Sequence, residues 1–399
     1  MPKYDLCIIG GGPAGLMAGL SAGLKGKKVI LVERKKELGF KILLTGGGRC
    51  NLTQMGLTKK EFVLNFGKQG DFLLSALSKF GPKETFDFFT EKGLPLKIEN
   101  NGRVYPKSEK AKDVLGFFKK ELKRNKVKVL LNAEVLNLIF KDGKIEKIVL
   151  KNKEIFANNF LLAVGGKSYF SNQNGYDFAK RAGHTIEKLR PALAPIETKE
   201  KWVRALKGLS LEKVGVSLND RKPLIGDVLF THFGLSGPSI LNLSEDVESK
   251  DKIYIDLFPL KTVFELEGFL LDLFNQNLKK TVLNTLSDFV PLRLLSVLLN
   301  YSGIEKTDIC RNVSKEKRKK LVKVLKNIEF NVLSVLGFEK AMVTKGGVSL
   351  KEIDSKKMRS KFIENLYFAG EIMDLNGKTG GFNLQMCFTT GFVAGESIL

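Results

Sequence analysis

The ten residues GGGPAGLMAG, Gly10 to Gly19, constrain this chain more than any other stretch. They follow YDLCII (Tyr4 to Ile9), an apolar run of the kind that forms a buried parallel strand. They open a helical pattern through Leu24, and KKVILVER (Lys27 to Arg34) then reads as a second strand with Glu33 near its end. Within the turn the spacing is Gly10-x-Gly12-x-x-Gly15. Gly10 permits the tight turn, Gly12 lets a pyrophosphate approach the backbone, and Gly15 lets helix and strand pack closely. The helix start offers free N–H groups to phosphate, and Glu33 accepts hydrogen bonds from ribose hydroxyls. The fragment predicts a dinucleotide site over Gly10, Gly12, Pro13, Ala14, Gly15 and Glu33. The other reading, a glycine turn without a ligand, leaves the placement of helix and acid unexplained.

A chain of 399 residues is long for one domain, and its 43% hydrophobic content supports a large core. No apolar run reaches membrane-spanning length, and the N-terminus carries no secretory signal pattern, so a cytoplasmic protein is expected. The four cysteines, Cys7, Cys50, Cys310 and Cys387, are scattered without zinc-type pairing, so neither disulfides nor a metal site is expected. The formal charge is +23. That balance allows an acidic partner such as RNA, but the lysines are spread along the chain, which reads as a solvated basic surface. The densest cluster, SKEKRKK (Ser314 to Lys320), reads as a solvated helix face.

The chain is read as α/β at both ends with an inserted middle. Residues 1–190 and 345–399 are expected to form one discontinuous dinucleotide-binding domain. Short strand-like pieces punctuated by prolines mark a β-rich insert at 191–260 and 327–344, and Leu- and Lys-rich helical patterns mark a helical subdomain at 261–326.

Two further glycine clusters bear on the ligand. TGGGRCNLT (Thr45 to Thr53) comes soon after Glu33, and NLYFAGEIMDLNGKTGGFNLQ (Asn365 to Gln385) lies near the C-terminus. Glycine signals at opposite chain ends suit an extended ligand such as FAD. In the second cluster Gly370, Glu371 and Asp374 end a strand in an acidic loop, and Gly380, Gly381, Phe382, Asn383 and Leu384 open a last helix. The alternative is a glycine cap, an acidic loop and a core helix.

The blocks GGGPAGLMAG, KILLTGGGRCNLT, LLAVGGKSY, FTHFGLSGPSILNLS, VTKGGVSLKEID and NLYFAGEIMDLNGKTGGFNLQ together resemble the BaiN-like family of NAD(P)/FAD-dependent oxidoreductases, a group that includes aminoacetone-oxidase-family flavoproteins. The resemblance implies a Rossmann-like (ββα) FAD domain interrupted by a β-barrel-like domain that carries a helical subdomain. It implies FAD contacts at the glycine fingerprint, Glu33, Arg34, Lys41, Thr45, Gly46, Gly47, Gly48, Arg49, Cys50 and Asn51. It extends them to Val135, Ala163, Gly165, Gly370, Glu371, Asp374 and Gly380 to Leu384. Two positions depart from the family: Phe40 stands before Lys41 where a basic residue is common, and Met386 stands where an aromatic is common.

The implied activity is hydride transfer between flavin and a small organic substrate, with NAD(P)H as electron donor. Since no second GxGxxG occurs, the nicotinamide cofactor is expected to dock transiently. Two alternatives stay open: an oxygen-using amine oxidase, and a flavin-containing RNA-binding or RNA-modifying protein. His232, one of two histidines, is a catalytic candidate, and Tyr254 and Tyr169 are candidate proton donors. Cys50 has no second cysteine close by for disulfide chemistry, which leaves only a lone thiolate beside Arg49. VGGKS (Val164 to Ser168) imitates a P-loop end but lacks its first glycine, so it reads as a turn beside the cofactor.

Overall fold

The computed structural model describes residues 4–169 and 174–398. The chain divides into two compact units, Met1–Pro191 with Val343–Leu399, and Ala192–Met342.

The first unit is built on a mixed sheet, with antiparallel strands added to a parallel part of five. The parallel strands are β1 (Tyr4–Ile9), β2 (Val29–Val32), β3 (Lys128–Leu130), β4 (Glu154–Leu162) and β5 (Leu366–Phe368). Their order across the sheet is β5-β4-β1-β2-β3, with every neighbouring pair parallel. Order reverses at β1, so the crevice between the carboxyl ends of β1 and β4 is a topological switch point, where such sheets bind ligands. The strand ends are level there: Ile9 pairs with both Val32 and Leu162. Leu6, Ile8, Leu31 and Leu161 are fully buried, each contributing about 1.5–3 kcal/mol by leaving water. This two-sided burial explains why β1 and β2 read as continuous apolar runs.

Helix α1 (Pro13–Leu24) starts with proline in its first turn and continues with Ala, Leu and Met. It packs against the last helix, α2 (Phe382–Glu396), along a seam of small residues. A Cβ on Gly391 would lie 2.3 Å from the Ala14 carbonyl oxygen, and one on Gly395 would lie 2.5 Å from that of Ala18. Only glycine at both positions lets the backbones approach this closely.

The second unit holds a closed six-stranded barrel in the order Ile196–Thr198, Gly234–Ser236, Leu224–Phe230, Ser210–Leu218, Lys252–Asp256, Ile328–Val335. Alternate residues such as Val216, Leu218, Ile253, Ile255 and Phe330 fill it. The helices between Val263 and Lys326 belong to this unit and share its core. The first, Val263–Gln276, starts at a capping box formed by Thr262 and Glu265 and buries Leu266, Leu270 and Phe274 at four-residue spacing.

Candidate functional site

A cleft with about 1090 Å³ of atom-free space, open to solvent, lies over the carboxyl ends of the parallel strands. Gly10, Gly12, Pro13 and Ala14 form its floor. Gly10 holds a φ of +110°, and a Cβ there would meet the Ala163 carbonyl oxygen at 2.4 Å. Gly15 does not line the cleft. A Cβ on it would lie 1.9 Å from the Gly10 carbonyl oxygen, so it serves the packing of helix on turn. Gly12 is open, with nothing within 4 Å of its Cβ position. It caps α1 in an extended conformation without a side-chain cap, and the first turn holds no acid. The N–H groups of that turn and the positive end of the helix dipole are therefore unopposed by any protein carboxylate.

The wall on the β2–β3 side includes Glu33, Arg34, Lys35, Glu134 and Val135. The Glu33 carboxylate accepts from Gly11 N–H at 2.7 Å and Lys35 N–H at 2.8 Å. Each oxygen is thus held by one backbone donor and keeps a lone pair for a ribose hydroxyl.

On the β4–β5 side the wall includes Ala163, Gly165, Ser168, Tyr169, Gly370 and Glu371, joined by Lys41 and by Cys387 of α2. Lys41 Nζ donates to Ser168 Oγ at 2.7 Å and to Glu371 Oε2 at 3.0 Å. Ser168 Oγ donates in turn to Glu371 Oε1 at 3.2 Å, and Thr344 N–H donates to the same oxygen at 2.8 Å. Thr344 Oγ1 accepts from the N–H groups of Lys167 and Ser168 at 2.8 and 3.2 Å. This network pins the VGGKS turn against the loop after β5. Burial, reinforced by the Glu371 charge, raises the Tyr169 phenol above its usual pKa. Burial pushes the Cys387 thiol up to about 12.

The remaining expected positions stand apart from the cleft lining. Thr45–Gly48 form a tight turn with Gly46 and Gly47 in left-handed conformations. Arg49 pairs with Glu99 at 2.9 Å and Glu109 at 3.4 Å and lies over the Tyr105 ring, 4.1 Å from its centroid. Cys50 is fully buried and its thiol is pushed up to about 12, so it holds its proton. Asn51 Oδ1 accepts from Val104 N–H at 3.2 Å. A Cβ on Gly381 would lie 2.6 Å from the Thr53 carbonyl oxygen and 3.0 Å from Asn51 Oδ1. The second and third glycine clusters therefore pack on each other. Asn383 clamps the preceding loop by exchanging hydrogen bonds with Gly377, and Phe382 packs on Phe62 and Phe66. Asp374 Oδ1 accepts from Gly346 N–H at 3.0 Å, and burial raises its carboxyl above the usual range.

Among the described residues, no side-chain hydrogen bond activates either catalytic candidate of the barrel unit. His232 is exposed between two barrel strands with its ring on Phe233, and among the described residues no carboxylate pairs with it. Tyr254 lies on a barrel strand between buried Ile253 and Ile255, its side chain half-buried. The VGGKS turn lies at the cleft, as the sequence reading expected, with Ser168 on its lining, whereas that reading missed Cys387. Nothing local marked Cys387.

The donor set fits FAD: an uncapped helix start with an open glycine beneath it, an acid with a lone pair free on each oxygen, and a cleft long enough to span the switch point. No helix among the described residues is long and apolar enough to cross a membrane.

Residues 4–397 match the family described as HI0933-like protein Rossmann domain. The chain is 30% identical over 410 residues to 3-dehydro-bile acid delta(4,6)-reductase of Clostridium scindens, covering 98% of each chain. It is also 30% identical over 407 residues to a ribosomal RNA dihydrouridine synthase of Haemophilus influenzae, covering 100% of this chain and 99% of that one. In fold it is similar to 3-ketosteroid-delta4-(5alpha)-dehydrogenase from Rhodococcus jostii RHA1, with a TM-score of 0.56 at 15% identity, covering 99% of this chain and 96% of the other. An uncapped helix start at the switch point and a family match from end to end lead to one assignment: the chain belongs to the HI0933-like Rossmann-domain family of FAD-dependent oxidoreductases.

Proposed function

We propose that this enzyme reduces a carbon–carbon double bond conjugated to a carbonyl, with NAD(P)H as the diffusible electron donor. The observation that carries this reading is the full-length likeness to both a bile acid reductase and a dihydrouridine synthase. The two names share one chemistry, since each describes hydrogenation of an unsaturated ring bearing a carbonyl. FAD in the cleft supplies the hydride-transfer chemistry.

The chain's own residues divide the remaining work. Gly10, Gly12, Pro13, Ala14 and the N–H groups at the α1 start hold the pyrophosphate, and Glu33 and Arg34 hold the adenosine end. Lys41, Ser168 and Glu371 fix the shape of the opposite wall. Tyr169 lines the cleft on the same wall as Glu371 and carries a hydroxyl proton, which makes it the candidate donor to the substrate carbon next to the carbonyl.

A second reading of the acceptor is a uracil base within RNA. It is favoured by the distribution of charge. The unit that holds the cleft carries 43 Lys and Arg against 24 Asp and Glu, whereas the barrel unit carries 23 against 19. Nearly all of the net +23 therefore sits on the dinucleotide unit.

Anaerobic reduction tests the proposal. NADH or NADPH should bleach the flavin, and a cyclic enone or uridine-containing RNA should restore its colour under argon. Reoxidation by dioxygen alone, with no conjugated acceptor active, would instead favour an amine oxidase.

A further inference from the structure

A second cleft lies on the dinucleotide unit, beside the segment that follows β2. Its walls come from three places: Lys36, Glu37 and Leu38, the end of the helix Ala111–Arg124, and the turn into β3. Lys36, Lys119, Lys123 and Lys126 rim it, and Glu37 is the one acid on its lining. Lys119 and Lys123 are one turn apart on the same helix face, and Lys126 follows at the next turn. The floor is apolar, formed by residues such as Leu122 and Val127.

All four ammonium groups are exposed, and among the described residues none makes an ion pair or hydrogen bond through its side chain. The helix dipole accounts for a basic residue in the last helical turn, such as Lys123. It does not account for Lys36, which arrives from another segment. Nor does it account for Lys126, which takes a left-handed φ of 55° that glycine adopts without strain. Four unpaired like charges around one concavity repel each other, and a polyanion relieves that repulsion. The whole unit carries a net charge of about +19 by its residue counts.

We propose that this lysine-rimmed cleft is a docking site for the phosphodiester backbone of RNA. The inference rests on the second reading of the acceptor, a base within RNA. Glu37 lies on the lining of both clefts, so a strand held here runs beside the cofactor site. Lysines on one helix face contact successive phosphates without reading sequence, which places this cleft as an anchor and leaves base choice to the cofactor cleft.

The test uses the full-length FAD-loaded chain and a fluorescent oligouridylate, with binding followed by anisotropy across a salt series. The variants are the triple Lys119→Ala, Lys123→Ala, Lys126→Ala and the charge-reversed pair Lys119→Glu, Lys123→Glu. A Lys319→Glu, Lys320→Glu control alters the other lysine-rich helix. FAD absorbance and melting temperature confirm that each variant is folded. The triple variant should weaken binding at least about tenfold at low salt and flatten the slope of log K against log salt by about 2, since each lost contact to a single strand removes about 0.7. The control pair should bind as wild type does. Equal binding by wild type and the triple variant would overturn this site while leaving the RNA reading intact. No binding by wild type even at low salt would overturn both.

Discussion

Lys41 and Glu371, 330 residues apart in the chain, meet at 3.0 Å in the wall of the cofactor cleft. Ser168 bridges them, accepting from the lysine and donating to the carboxylate. The loop after β5 is thereby tied to the short helix Phe40–Leu44 that follows β2. Glu371 also takes the buried N–H of Thr344, so its removal strands several donors at once. Glu371→Ala should therefore lower the stability of the FAD-free protein by about 1–3 kcal/mol, measured by urea unfolding. Glu371→Gln, which keeps a carbonyl acceptor, should cost less. Equal stability of all three proteins would show that the network carries no weight.

The fingerprint glycines should separate into two kinds. Gly12→Val places its side chain in open space over the cleft, so the fold should hold to within about 0.5 kcal/mol while FAD occupancy falls. Gly15→Ala drives a methyl group against the Gly10 carbonyl oxygen and should cost about 1–3 kcal/mol of stability even without cofactor. Flavin absorbance per chain and thermal melting of the apoprotein distinguish the two. A Gly12→Val protein that melts early yet retains full flavin would contradict the assignment.

Stability should show an acid limb set by His184. Its ring is buried between Phe362 and Phe368, Nε2 lies 2.7 Å from Ser360 Oγ, and Nδ1 lies 3.2 Å from Glu352. Burial lowers its pKa from the ordinary 6.5, outweighing the pull of Glu352 in the other direction. The folded chain thus binds this proton less readily than the unfolded chain does. The contribution is fully present above the unfolded value and is lost as pH falls through 6.5 toward the folded value. His184→Phe should flatten the decline of melting temperature in that window. An unchanged slope would assign the acid limb to other groups.

Cys50 should be chemically silent. It is fully buried and its thiol is held near 12, so iodoacetamide at neutral pH should leave it unlabelled in the native protein. Cys50→Ser should retain FAD and turnover to within about twofold, because a protonated thiol contributes little nucleophilic chemistry. Loss of turnover with FAD retained would restore it as a reactive group.

The parts of the fold legible in the chain are those coded by near neighbours. Strand, glycine turn, helix, strand and acid follow one another within Tyr4 to Arg34, and period and spacing alone identify them. The same holds for the alternating β-rich pieces that close into a barrel and for the helical run after Thr262. The cleft is only partly legible, because its second wall is assembled from segments distant in sequence. Nothing near Lys41 announces Glu371 or Ser168, and nothing near Cys387 announces a cleft. Arg49 reads locally as a cofactor ligand, and its pairing with Glu99 and Glu109, 50 and 60 residues further along the chain, is visible only in the fold. Cys50 reads as a candidate thiolate, and only packing decides that it is buried and protonated. The amino-acid order determined the dinucleotide half-site, because its glycine spacing and the Glu33 acceptor of Gly11 N–H lie within about thirty residues. Tertiary structure decided the opposite wall, because burial and ion pairing depend on which distant segments arrive there. It also decided that Lys36 converges on one cleft with the lysines at the end of the helix Ala111–Arg124 and the turn that follows it.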